Sequence, residues 1–476
     1  MFSAPRFIAI DDKPHHLTGL LDTFQKLGTP CLGIHFTGDT PEADHFRHAR
    51  VIFMDLHLLD TGAGTSDTQH YNLIAGILLD CMRPQCGPFV LVLWTEHPEK
   101  CAALQQLLDE RLADDPHCRP LAIIPLGKGK FIHLTDGKPN DAAGLLTAVR
   151  ETVSRNPQLS ALLAWEARAM DAASATLGAL LDLVPADKRS AATCGPEIDR
   201  LLSILAIAAV GQANVKCDRQ GAVMQALAPI LADRMAHVET RANEDRLWKA
   251  AVTRVPEKPG VSPEDAGRVN RMLHIAVPIA EKIRPIDRGA VVDVPADWLT
   301  EEGFKREFGV TEETARREFG VAPTGTVKGL RWVLLQIQAA CDHAQTKPGL
   351  QPYVLALEIP FDPPWVKGER DALWASPLLL GEAGLFRLVA NSRFRLGLPK
   401  EEANPLRVRY RLREQLLGEA VHHVQSHGNR PGIVYLEPPK RPEASEQTAV
   451  APGLDVPSEV TGTGSQEAPK LATSAG

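Results

Sequence analysis

Residues 51–55 read Val51-Ile52-Phe53-Met54-Asp55, four apolar residues in a row that end on a carboxylate. A run apolar at every position suits a strand buried on both faces; a half-exposed strand would alternate. Working outward, the pattern recurs. Upstream, Phe7-Ile8-Ala9-Ile10 leads into Asp11-Asp12, and Cys31 to Phe36 is strand-like. Downstream, Phe89 to Trp94 leads into Thr95, and Leu121 to Leu126 precedes Lys128 and Lys130. The intervening segments have helical spacing: Leu17, Leu20, Leu21, Phe24 and Leu27; Leu73, Ile77 and Leu78; Glu99 to Leu112; Asn140 to Val153. Five strands alternating with helices predict an α/β unit over residues 1–155, built on a doubly wound five-stranded parallel sheet.

In such a sheet the strand ends gather at one edge, so Asp11, Asp12, Asp55, Thr95 and Lys128 are expected to share one shallow pocket. Three carboxylates together repel one another and call for a hard cation, and Mg²⁺ held by carboxylates and water fits. A carboxylate beside that ion can attack a phosphoryl donor to form an acyl phosphate, with a hydroxyl and an ammonium group holding the remaining oxygens.

This order of residues resembles the receiver domain of bacterial two-component response regulators, over residues 5–153. The resemblance implies a flavodoxin-like fold with Asp55 as phospho-acceptor. It also implies Mg²⁺ bound by Asp11, Asp12, Asp55 and the backbone carbonyl of His57, with Thr95 as switch hydroxyl and Lys128 as the pairing lysine. A histidine kinase or another phosphodonor would be the partner. Phosphorylation would draw Thr95 inward and change contact with the region that follows. The sequence also departs from the family. The segment from Leu58 to Asn72 is long, and Gly127-Lys128-Gly129-Lys130-Phe131 replaces the usual Lys-Pro, so Lys130 is an alternative to Lys128. A degenerate receiver that docks a partner without phosphoryl chemistry is the competing expectation.

The chain of 476 residues is too long for one core, and two or three domains are expected. Its 44% hydrophobic and 23% charged residues describe an ordinary soluble protein, and a net charge of −7 gives no general attraction to nucleic acid or anionic membrane. Eight cysteines without paired metal-ligand spacing read as reduced thiols of a cytoplasmic protein. The N-terminal residues do not read as a signal peptide. The most apolar stretch, Leu201 to Val210, is half a bilayer span, so a buried helix and no membrane contact are expected.

Residues 156–290 are expected to be helical, with candidates at 158–184, 196–211 and 222–248 that could pack as a bundle or dimerise the protein. Residues 291–437 mix strand and helix signals and predict an α+β output module. Residues 438–476, rich in Pro, Ser, Thr, Glu and Gly, are expected to be disordered.

Three features of these regions suggest chemistry. Residues 308–317 look like the turn and recognition helix of a DNA-binding helix-turn-helix, with Gly309 in the turn, Thr311 as cap, and Thr314, Arg316 and Arg317 facing a groove. Arg407, Arg409, Arg411 and Arg413 alternate along a strand-like run and would form a phosphate- or nucleic-acid-binding strip, with Arg393 and Arg395 nearby, or a solvated face paired with Glu401, Glu402 and Glu414. Cys341-Asp342-His343 could be a metal or thiol site of an effector enzyme, or a buried Cys followed by a capping Asp.

Overall fold

The computed structural model describes residues 5–428 apart from 27, 59–65, 238–241, 255–259, 279–281, 323–328, 346, 363–364 and 366–369. The tail expected at 438–476 lies outside the described residues, as does most of the loop after Leu58.

The N-terminal unit is a five-stranded parallel sheet. Its strands are β1 (Phe7–Asp11), β2 (Cys31–His35), β3 (Val51–Met54), β4 (Val90–Thr95) and β5 (Ala122–Gly127), in the order β2-β1-β3-β4-β5. The helices between them are α1 (Pro14–Lys26), α2 (Asp67–Cys81) and α3 (Cys101–Arg111), with α4 (Ala142–Ser154) after β5. The alternation of side chains divides each strand between two cores. Ile8, Ile10, Ile52, Met54, Leu91 and Leu93 pack with Ile74 and Leu78 of α2 and with Leu104 and Leu108 of α3. Ala9, Val51, Phe53, Val92 and Trp94 pack with Leu17, Leu20 and Phe24 of α1 and Leu145 of α4. Both faces are covered, which is why the strands read as unbroken apolar runs.

α5 (Pro157–Asp182), 26 residues and so about 39 Å long, leaves this unit and begins the helical region. Its Leu159 belongs to the N-terminal core, and Glu166 pairs with Arg50 at 3.0 Å. The helical region continues through α6 (Cys194–Val210), α7 (Gln212–Val215), α8 (Arg219–His237) and α9 (Ala242–Ala251). An ion pair of 2.7 Å between Arg168 and Glu244 fastens α9 to α5. Among the described residues the candidate at 222–248 is helical in α8 and α9, and 238–241 lie outside them. The apolar stretch in α6 is not buried all round: Leu201, Ala206 and Val210 are inside, whereas Ile204 and Ile207 are exposed.

The C-terminal unit begins earlier than residue 291. α10 (Pro263–His274) runs into β6 (Ile275–Ala276), whose partner is the last strand, so both belong to the unit that follows. The other strands are β7 (Ala290–Asp293), β8 (Arg331–Gln336), β9 (Gln351–Pro360), β10 (Leu373–Ala375), β11 (Leu379–Gly381), β12 (Gly384–Leu398) and β13 (Val408–Leu412). They form an antiparallel sheet in the order β10-β12-β9-β8-β7-β13-β6, with β11 also on β12. α11 (Glu301–Phe308) and α12 (Glu312–Glu318) sit on one face through Phe304, Ala315 and Phe319. α13 (Ala340–Ala344) and α14 (Lys400–Ala403) lie in connections, and α15 (Glu414–Gly428) covers the other face through Leu416, Leu417 and Val424. No helix among the described residues is long and apolar enough to cross a membrane.

Candidate metal and phosphoryl site

The strand order reverses between β1 and β3, and a ligand crevice is expected there, beyond the carboxyl ends of the strands. Asp11 ends β1, Asp12 follows it, and Asp55 follows β3. Their carboxylate oxygens lie within 4.8 Å of one another, and among the described residues they are the one acidic, histidine or cysteine group so clustered. Asp11 and Asp55 are 2% and 4% exposed, so they face each other with little water between.

Lys128, immediately after β5, answers that repulsion. It is 1% exposed, and its Nζ lies 2.7 Å from Asp11 Oδ2 and 2.7 Å from Asp55 Oδ2. Lys130 is exposed, so the geometry brings Lys128 and not Lys130 to the carboxylates. Thr95, fully buried at the end of β4, accepts the His97 backbone N–H at 3.1 Å through Oγ1. The Asp11 carboxylate also accepts the Lys13 N–H at 3.0 Å.

One ammonium for three carboxylates leaves the cluster short of positive charge. Burial, followed in order by the opposing pull of Lys128 and the repulsion of Asp55, raises the Asp11 pKa to about 6. Asp12 is raised too, first by burial and then by Asp55. Asp12 Oδ1 is buried and has no hydrogen-bond partner among the described residues. An orphaned carboxylate oxygen beside two others is what a hard divalent cation would satisfy, so the donor set fits Mg²⁺.

That fit has a pH consequence. A proton on Asp11 competes with the cation, so Mg²⁺ affinity falls as pH drops through about 6. Between pH 7.5 and 5.5 the Asp11 term alone weakens binding about fourfold. Calorimetric titration of Mg²⁺ at the two pH values checks this, and an affinity unchanged or stronger at pH 5.5 contradicts it.

Histidine side chains also stand around the cluster. His16, 1% exposed on α1, sits 3.4 Å through Nδ1 from Lys128 Nζ, while Nε2 lies 2.9 Å from the Leu134 carbonyl oxygen. Burial, with Lys128 adding to it, lowers the His16 pKa, favouring a neutral ring that donates at Nε2 and accepts at Nδ1. Its place one helical turn after Asp11-Asp12 was the available signal, because whatever begins α1 lies at the same sheet edge. His57, two residues after Asp55, is half-buried, with ring centroids 4.6 Å from His70 and 5.3 Å from His97. Burial, then His70 and Lys100, depresses the His57 pKa.

The other candidate residues are not brought to this site. Gly309 adopts φ 74° between α11 and α12, and the Thr311 side chain caps α12 by accepting Thr314 N–H at 3.2 Å. α12 has only 7 residues, however, and both its arginines are engaged. Arg316 pairs with Glu312 at 2.8 Å, which also accepts the Trp332 indole N–H, and Arg317 pairs with Glu313. The arginine strip is corrected in its partners. Arg409 pairs with Glu358 at 3.0 Å and Asp293 at 3.5 Å, Arg407 also reaches Asp293, and Glu414 pairs instead with Arg288. A register shift between Val408 and Tyr410 against β7 breaks the even alternation on which the strip was read. Cys341 is exposed, not buried, and Asp342 does not cap α13, whose cap position is Ala339. Asp342 takes Lys347 at 2.6 Å, and no metal-binding group forms around Cys341 and His343 among the described residues. No known protein family and no curated protein matches the chain, so the functional reading rests on this geometry.

Proposed function

We propose that the N-terminal unit is a receiver-like phospho-acceptor that controls the helical and C-terminal units. The observation that carries this reading is Lys128 bridging Asp11 and Asp55 beside Asp12, at the reversal of a β2-β1-β3-β4-β5 sheet. That strand order is the flavodoxin-like one. An Asp55 oxygen attacks the phosphorus of a donor such as acetyl phosphate; the P–O bond to acetate breaks, and acetate leaves with the electron pair. Asp11, Asp12 and Asp55, with the His57 backbone carbonyl, would hold Mg²⁺, which supplies charge neutralisation to the phosphoryl oxygens when bound. Lys128 would then turn from Asp55 to a phosphoryl oxygen, and Thr95 would donate its hydroxyl to another. In the cell the donor would be a histidine kinase or a small acyl phosphate.

The conformational consequence would travel through α5, which starts in the N-terminal core at Leu159 and is fastened to α9 at Arg168. Purified protein incubated with Mg²⁺ and acetyl phosphate should gain one phosphoryl group by intact mass. The adduct should be labile to alkali and absent from Asp55→Asn. No adduct on the wild-type protein would leave the second reading, a docking platform without phosphoryl chemistry. Lys128 favours that reading to the extent that it already satisfies both buried carboxylates.

A further inference from the structure

α5 is covered over too little of its surface. Of its 26 residues only Leu159, Ala161, Ala172 and Thr176 are buried, where a helix seated on one core would bury roughly eleven. Large apolar side chains stand in solvent instead. Leu162, Trp165, Met170, Leu177 and Leu181 are 42–63% exposed. At about 3.6 residues per turn they fall within roughly 160° of one another, on one face of the helix. Taking roughly 200 Å² for each when fully open, they offer roughly 500 Å² per chain, and two such faces reach the roughly 1,000 Å² that a specific interface needs.

The face fits a copy of itself. Trp165, Ala169, Ala173, Leu177 and Leu181 follow one another at every fourth position, which makes a single ridge. The ridge is small in the middle and bulky on either side. Two such ridges can therefore cross closely at the alanines, in the common packing class near about −50°. Beside Trp165 a recess of about 390 Å³ opens between α5, α8 and α9, walled by Met235 and Trp248, with Ala232 and Ala236 leaving room for a side chain. Charge does not oppose self-association. No member of the ridge is ionisable, and Asp171 falls on the opposite side of the helix. Glu166 is held by Arg50, Arg168 by Glu244 at 2.7 Å and Asp182 by Arg189 at 3.5 Å. A two-fold contact presents the same patch from both sides, so an uncharged ridge suits a second copy of the chain better than a charged partner.

We propose that α5 pairs two copies of the chain. The helices cross antiparallel at Ala169 and Ala173, and Leu177 of each copy enters the recess beside Trp165 of the other. An antiparallel crossing suits the ridge, because Trp165 and Leu177 lie equally far from its middle. It also keeps the two N-terminal units, which hold the start of α5 at Leu159, at opposite ends of the pair. Nothing in this depends on phosphoryl transfer at Asp55.

The test is sedimentation equilibrium of the full chain, in EDTA, across the micromolar range. A monomer–dimer equilibrium is expected. Leu177→Glu and Trp165→Lys should each weaken it by about tenfold or more, because each buries an unpaired charge at the contact. Both side chains are more than half exposed, so neither change disturbs a core. An equimolar mixture of the two variants should recover dimer close to the wild-type level: one of its two reciprocal contacts becomes a Glu–Lys pair and the other is unchanged. A variant that had failed to fold could not be rescued in this way. Wild-type protein that stays monomeric overturns the proposal. So does a dimer indifferent to both variants, or a mixture that associates no better than its parents.

Discussion

Lys128→Met is expected to destabilise the N-terminal unit by about 3–5 kcal/mol at neutral pH in the absence of divalent metal. Methionine replaces the aliphatic stem at similar volume, so the loss is electrostatic rather than a cavity. What remains is Asp11 and Asp55, 2% and 4% exposed, facing each other with Asp12 alongside and no buried cation. Two conditions should restore stability, and each isolates a cause. Saturating Mg²⁺ supplies the missing positive charge and binds only the folded state, so the deficit shrinks with metal concentration.

Acid should act in the same direction. Asp11 is already raised to about 6 with Lys128 present, and removing Lys128 deletes the largest influence holding it down. A carboxyl whose pKa is higher folded than unfolded binds protons more tightly in the folded state. Its contribution to stability is therefore regained as pH falls through the folded value towards the unfolded one. Hydrogen exchange at the β1 and β3 amides, which reports this unit apart from the others, is the measurement. Loss of protection that neither Mg²⁺ nor pH 5.5 recovers would mean that Lys128 acts through packing, and the charge-balanced cluster would have to be abandoned.

The cluster was legible because its logic is local. Each acid or cation follows an apolar run, and a parallel sheet covered on both faces forces those ends together. The five runs at 7–10, 31–36, 51–54, 89–94 and 121–126 coincide with β1 to β5 within about a residue or two at their ends. His16 stayed hidden because a histidine on an amphipathic helix carries no mark of what faces it; its partners are 112 and 118 residues away in sequence. The C-terminal unit was less legible for the same reason. β6 is two residues long and is a strand only because Arg411 and Leu412 pair with it. The even arginine spacing at 407–413 suggested one exposed face, but a register shift in β13 and the acids Asp293 on the adjacent β7 and Glu358 farther across the sheet on β9 decide where Arg407 and Arg409 go. Local periodicity reports what a segment can be; long-range pairing decides which of its faces is wet.

Gly19→Ala puts a local rule and a tertiary contact in direct opposition. In the interior of α1, alanine should be favoured over glycine by up to about 1 kcal/mol. A Cβ at this position, however, would stand 1.7 Å from the Gly137 carbonyl oxygen and 3.2 Å from Ile132 Cγ2. The obstacle is backbone, and Gly137 cannot give way on its own. It holds φ 68°, donates its N–H to the His133 carbonyl at 2.7 Å, and lies against the backbone of His15. Steric cost should win, with a net loss of about 2–3 kcal/mol. Gly76→Ala in α2 is the matched control: its Cβ would meet nothing within 4 Å, so propensity acts alone and stability should rise. The functional readout follows from the same contact. Moving the 132–139 loop away from α1 takes the Leu134 carbonyl from His15 and His16, and with it one restraint on Lys128. Gly19→Ala should therefore weaken Mg²⁺ binding as well as stability, whereas Gly76→Ala should leave the metal untouched. If Gly19→Ala raised the denaturation midpoint as Gly76→Ala does, α1 would not lie on the loop after Lys128, and the chain of contacts that positions the lysine would be wrong at its first link.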